Sequence, residues 1–254
     1  MGKSSKRCSP GINTWTLLSN DFVNDISYVI HKSDLYNYAD DNTLSFHSPD
    51  YEKDIHVSVL QVESDILIKW CSFNCMQANP EIFQAIAVGK NTCSKNHIFN
   101  IGDANISCDE IVKLLGVDID FKLNFDYHIT NICKKAVQQL NILKRIGKNL
   151  SKLNRLINFH TFIFSNFNFC PLSPHFCSEK NTKKIEKVQE RALRFVYFDY
   201  TSSYDELVVK VQLPSLHVQR TRLMAIETFK IINGIVPPVL DNILQKRDSR
   251  YNFR

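Results

Sequence analysis

No run of 18 apolar residues occurs in the 254-residue chain, so no membrane-spanning helix is expected. The opening Met1-Gly2-Lys3-Ser4-Ser5-Lys6-Arg7 is positively charged but has no apolar stretch behind it, which argues against a secretory signal. Lys6 stands where the myristoylation pattern requires Ser or Thr. Residues 1–10 therefore read as a disordered basic tail. None of the eight cysteines forms a Cys-x-x-Cys, and their spacing gives no disulfide framework. Scattered thiols without an export signal point to a reducing, intracellular setting, nucleus or cytoplasm. Cys170, His175 and Cys177 lack a fourth ligand nearby, so thiols buried beside an aromatic helix are expected there rather than zinc. The last 125 residues also lack internal repeats and low-complexity runs.

What is present is a lopsided charge. The net charge of +5 hides 10 Lys and Arg against 17 Asp and Glu in residues 1–129, and 21 against 9 in residues 130–254. The first part is −7 and the second +12. Such halves suit a device that handles a metal and a polyanion, although a solvated surface can also be charged this way.

Periodicity separates the same two parts. Leu18, Phe22, Ile26 and Val29/Ile30 recur at helical spacing up to about His31. Leu35–Tyr38 and Thr43–Phe46 flank Asp40-Asp41-Asn42 and predict a hairpin with two adjacent carboxylates at its tip. A helix opens at Asp50-Tyr51-Glu52, with Val57, Leu60, Ile66/Leu67 and Trp70 near one face. Phe83–Val88 suits a buried strand, and Ile98–Ile101 with Asn105–Cys108 a hairpin about Gly102-Asp103. Val112–Ile119 predicts a further strand. After Asn124 the spacing becomes helical, with helices expected from Ile129 to Gly147, over Lys152–Phe169, over Lys180–Tyr197 and over Ser215–Asn233. The fold class is α+β, with an all-helical region from about residue 123.

Two neighbouring carboxylates repel unless a cation or hydrogen-bond donors compensate, and a divalent metal is one compensation. Asp-Asp-Asn is also ordinary turn chemistry. The helix Lys180–Tyr197 carries a clearer signal. At 100° per residue, Lys180, Lys183, Lys184, Lys187, Arg191 and Arg194 fall within an arc of roughly 100°. Glu186 and Glu190 lie outside that arc. Six cations on one face repel one another, and a phosphate backbone is the anion that would relieve them. A solvated bundle face is the alternative.

Tyr38-Ala39-Asp40-Asp41 resembles the Tyr-x-Asp-Asp signature of reverse transcriptases of non-LTR (LINE-type) retrotransposons. Leu17-Leu18 and Phe22-Val23-Asn24-Asp25-Ile26 resemble the helix that precedes it in that family. Trp70, Met76-Gln77-Ala78-Asn79-Pro80, Lys113–Asp120, His128-Ile129 and Ile132-Cys133-Lys134-Lys135 follow in the family's order. The likeness covers nearly the whole chain from about Gly11.

The resemblance implies a partial polymerase palm over residues 11–122 and a thumb/connection region over 123–254. It implies Asp40 and Asp41 as catalytic and Mg²⁺-holding carboxylates, and Leu115 and Gly116 as a primer-grip-like strand. RNA or DNA is the implied partner, held electrostatically and without sequence preference. In the family a further carboxylate comes from an upstream motif, for which the 37 residues before Tyr38 leave no room. The expectation is a reverse transcriptase fragment, inactive alone, lacking an N-terminal portion. The departures agree: Ser9-Pro10-Gly11-Ile12 and Trp15-Thr16 differ from the family's turn, and Ile82 stands where a Lys is usual. A non-enzymatic nucleic-acid-binding module made from the thumb is the alternative.

Overall fold

The computed structural model describes residues 22–39, 41–47, 53–89, 97–102, 104–170, 178–212, 214–237, 240 and 244. The basic tail, Asp40, His175 and Cys177 lie outside the described residues. The protein is α+β and divides into two compact units, residues 1–116 and 117–254. No helix among the described residues is long and apolar enough to cross a membrane.

The first unit is built around one helix, α1 (Lys53–Phe73), and two antiparallel hairpins. Strands β1 (Asp34–Tyr38) and β2 (Asp41–Ser45) form the first hairpin, and β3 (Ile98–Ile101) and β4 (Ala104–Ser107) the second. Helix α1 serves them from two adjacent sectors rather than one face. Leu67 and Trp70 are buried with Ile26 and Ile30, against Leu35 and Leu44 of the first hairpin. Val57, Leu60 and Ile68 pack on Phe99, Ile101 and Ile106 of the second. Each fully buried side chain of this size contributes about 1.5–3 kcal/mol, which is what holds short hairpins that are marginal alone.

Two polar fasteners fix the hairpins along α1. The buried carboxylate of Glu63 accepts from the backbone N–H of His31 and Lys32 and from the Ser33 hydroxyl, each at 3.2 Å, just ahead of β1. The Gln61 amide accepts from the Asn100 N–H at 2.8 Å and donates to the Asn100 carbonyl at 2.6 Å, so it pairs with β3 as a neighbouring strand would. The strand expected over Phe83–Val88 reduces to one parallel bridge, Ala85 to Cys108. A last strand, β5 (Ile111–Leu114), closes the unit.

The second unit opens with β6 (Val117–Asp120) and is otherwise helical among the described residues. Helix α2 (Asp126–Ile146) is followed by α3 (Lys152–Asn158), a π-helical stretch Phe159–Phe164, and α4 (Ser165–Asn168). Then come α5 (Glu179–Tyr197), α6 (Tyr204–Val211) and α7 (Leu216–Ile232). Serines start three of them. Ser151 and Ser215 accept from the N–H three residues on, and Ser203 forms a full capping box with Glu206. The helix expected over Lys152–Phe169 is present, with a π stretch in its middle that widens the turn around His160.

One core joins these helices. Ile129, Cys133, Ala136, Leu140 and Leu143 of α2 meet Ile185, Val188, Ala192, Phe195 and Val196 of α5, and Phe159, Ile163, Phe164 and Phe167 fill the third side. Cys133 is a buried thiol in this core, whereas Cys170, expected to be buried, is exposed. The buried Arg155 donates to the carbonyls of Val196 at 2.9 Å and Leu150 at 2.6 Å, and its guanidinium lies 4.0 Å over the Phe198 ring. It thereby anchors the C-terminal end of α5, where carbonyls lack helical partners.

Candidate nucleic-acid interface

The first hairpin turns earlier than its sequence suggests. Its register pairs Asp34 with Ser45, Leu35 with Leu44, Tyr36 with Thr43 and Tyr38 with Asp41. β1 ends at Tyr38 and β2 begins at Asp41, so Asp41 and Asn42 are strand residues and not turn residues. Burying the Leu35–Leu44 pair sets this register, and Ala39 takes a positive φ of 54° to allow it. Side chains alternate across the ribbon, which puts Tyr36, Tyr38, Asp41 and Thr43 on the face opposite Leu35 and Leu44. Tyr36, Tyr38 and Asp41 are exposed.

Asp41 is the one member of the expected carboxylate pair among the described residues. No group of three His, Cys, Asp or Glu side chains there is placed to hold a metal ion. Ile82, at the end of a 3₁₀ turn Pro80–Ile82, is 73% exposed.

The strand expected over Val112–Ile119 is interrupted at Leu115 and Gly116, which have φ values of 47° and 84°. Two successive residues with positive φ reverse the chain, and both are exposed. The two positions expected to grip a primer as a strand are therefore turn residues.

The α5 stripe is the larger feature. Burial of Ile185, Val188, Ala192 and Val196 faces one side of α5 to the core and leaves Lys180, Lys183, Lys184, Lys187 and Arg191 exposed on the other. Lys180, Lys187 and Arg191 make no ion pair among the described residues. Lys184 donates from Nζ to the Thr130 hydroxyl of α2 at 3.0 Å. Lys183 pairs with Glu179 one turn earlier at 2.6 Å, holding that carboxyl below its usual value, in a fully exposed contact.

Arg194 differs from the other five. Its Nε and Nη2 donate to Glu190 Oε1 at 3.1 and 2.7 Å, and the pair is about three-quarters buried on the Arg side. Glu190 precedes Arg194 by four residues, the spacing that favours such a pair on a helix. That spacing was legible in the sequence. Five of the six cations are exposed on this face of α5, and Arg194 packs at its edge.

Its borders are defined on both sides. Toward α2, Asn181 donates to the Asp126 carboxylate and Lys184 bonds Thr130, so the two helices run side by side in the same direction. Toward α6, Tyr204 donates its hydroxyl to the buried Gln189 at 2.7 Å. Burial, and then Glu186, push the Tyr204 hydroxyl pKa far above its usual value. Glu186 accepts the His217 N–H at 3.3 Å in the first turn of α7, a position that favours a carboxylate. Glu186 and Glu190 are therefore engaged by His217 and Arg194, while Glu179 pairs with Lys183 of the stripe itself. Compared with known proteins, the chain matches no family model, no curated protein and no solved structure.

Proposed function

We propose that this chain holds nucleic acid by its phosphates on the exposed face of α5, and that it is related to the palm and thumb of a non-LTR reverse transcriptase without polymerising on its own. The carrying observation is the exposed row Lys180, Lys183, Lys184, Lys187 and Arg191, with Glu186 and Glu190 turned aside to His217 and Arg194. One helical turn advances about 5.4 Å, so the row offers a cation at nearly every turn along one straight edge. Lysines of this kind position a backbone and read no bases.

The Tyr-Ala-Asp-Asp hairpin supports the relationship: Tyr38 and Asp41 face each other across its closing pair on an open surface. In that reading Asp40 and Asp41 are the former metal carboxylates, Mg²⁺ the ion, and Leu115 and Gly116 a degraded primer contact. Ile82 argues against turnover, because an exposed alkyl group neither donates a proton nor offsets phosphate charge.

The test is fluorescence anisotropy of a labelled 20-nucleotide strand against the full chain. Affinity is expected to fall steeply from about 50 to 200 mM salt and to vary little with sequence. The charge-reversal variant Lys187→Glu/Arg191→Glu, folded by circular dichroism, is expected to lose that binding. Salt-independent binding, or a folded variant that binds like the parent, rules the reading out. Template-dependent extension abolished by Asp40→Ala would rule out the non-polymerising part.

A further inference from the structure

We infer that the nucleic acid held by α5 is single-stranded and that Tyr127, on the neighbouring helix α2, stacks one of its bases. This rests on the phosphate-binding reading of α5 and goes beyond it by naming the form of the strand and the group that selects it.

The geometry comes from the edge shared by α2 and α5. The Asp126–Asn181 and Thr130–Lys184 contacts lie one helical turn apart on both helices, so the cationic row continues sideways onto α2 at that level. On the α2 helical wheel, Tyr127, Thr130 and Lys134 fall within an arc of about 60°. Lys134 is exposed, one turn beyond Thr130. Tyr127 is 50% exposed, one turn before it, and meets no other ring among the described residues. The α2 edge therefore carries an aromatic ring and a cation about 10 Å apart along the axis, beside Lys180, Lys184 and Lys187.

The core side of α2 is filled by Ile129, Cys133 and Ala136, and Tyr127 lies away from it, half exposed. A cationic track with an open aromatic beside it suits a strand whose bases are free to leave their own stack. Duplex bases are paired inside the helix and cannot reach such a ring. Base–aromatic stacking tolerates any base, so sequence preference stays weak.

The experiment compares four probes binding to the full chain at one salt concentration: a 20-nucleotide thymidine strand, a mixed-sequence strand, an abasic strand of the same length and a 20-base-pair duplex. Tyr127→Ala is expected to weaken binding to both base-bearing strands about tenfold, within the range for one stacked base. Binding to the abasic strand and the duplex is expected to stay within about twofold, since those contacts are to phosphates. Tyr127→Phe, which keeps the ring, is expected to bind like the parent. An equal loss on all four probes, or no loss on any, overturns the stacking role. In that outcome the α5 reading still stands if Lys187→Glu/Arg191→Glu abolishes parent binding. If the parent binds none of the probes, the α5 reading fails, and this inference with it.

Discussion

The carboxylate of Asp120 accepts the backbone N–H of Phe125 at 2.7 Å across the turn that leads into α2. The same carboxylate accepts from Lys122 at 3.0 Å and Asn124 at 3.3 Å, so one buried side chain gathers three donors. Phe125 holds φ at 57°, an unfavourable conformation for an aromatic residue, and these bonds fix it. Asp120→Ala removes the acceptor while the donors stay partly buried. The expected loss is about 1–3 kcal/mol of unfolding free energy, and Asp120→Asn is expected to lose less because one oxygen remains. Urea unfolding followed by far-UV circular dichroism measures both. A midpoint unchanged in the Ala variant would mean that water replaces the carboxylate at no cost.

The C-terminal half of the sequence was legible because its main signal is local. The buried face of α5 repeats every three to four residues, and both its apolar stripe and its cations can be read from spacing alone. The serine caps at 151, 203 and 215 are equally local. What could not be read depends on distant backbone partners. Glu63, Asp120 and Arg155 look like surface charges in the sequence, yet each is buried because backbone groups converge on it. Asp41 and Asn42 pair within β2 instead of turning because pairing Leu35 with Leu44 outweighs turn preference. Nor does any spacing rule announce the π stretch at Phe159–Phe164, within which Phe159, Ile163 and Phe164 are buried.

Gly147 is buried at the end of α2 for a packing reason alone. Its φ of −71° suits any residue, but a Cβ there would lie 2.1 Å from Cζ and 2.7 Å from Cε2 of the buried Phe195 ring. Alanine is about 1 kcal/mol better than glycine in an open helix. Here the clash dominates, and Gly147→Ala is expected to destabilise by about 1–3 kcal/mol. Pairing it with Phe195→Leu in a double-mutant cycle should recover more than about 0.5 kcal/mol of coupling. Additive losses would show that the ring moves aside freely.

Asp199 gives the helical unit an acid-sensitive contact. Hydrogen bonds from the Lys210 ammonium first, then from the Ser202 side chain and backbone, hold its carboxyl well below the usual range. A carboxyl depressed in the fold stabilises it above the unfolded value of about 3.9, and that contribution fades as pH falls below it toward the folded value. Urea midpoints at pH 6 and pH 3 should therefore drop further for the parent than for Asp199→Asn. The variant is expected to be the less stable of the two at pH 6, with the gap narrowing at pH 3. Other carboxyls titrate in both proteins alike, so the difference belongs to Asp199. Parallel losses in the two proteins would show that Lys210 and Asp199 do not hold each other in solution.

Lys187 and Arg194 lie on one stripe of α5 but are expected to respond oppositely to truncation. Lys187 is exposed, with no ion pair among the described residues, so Lys187→Ala should leave the urea midpoint within about 0.5 kcal/mol of the parent. It should lower the slope of log affinity against log salt by about one, weakening every strand by a similar factor. Arg194 is tied to Glu190 through two nitrogens and is mostly buried. Arg194→Ala strands the Glu190 carboxylate and removes the packed stem, so stability should fall by up to about 1 kcal/mol. Its salt slope should match the parent's, because the guanidinium releases no counterion on binding when it is already paired. Anisotropy titrations at four salt concentrations, beside urea unfolding of the same three proteins, separate these outcomes. If Arg194→Ala reduces the slope as Lys187→Ala does while leaving stability alone, the Glu190 pair opens on binding. The cationic face would then have six members.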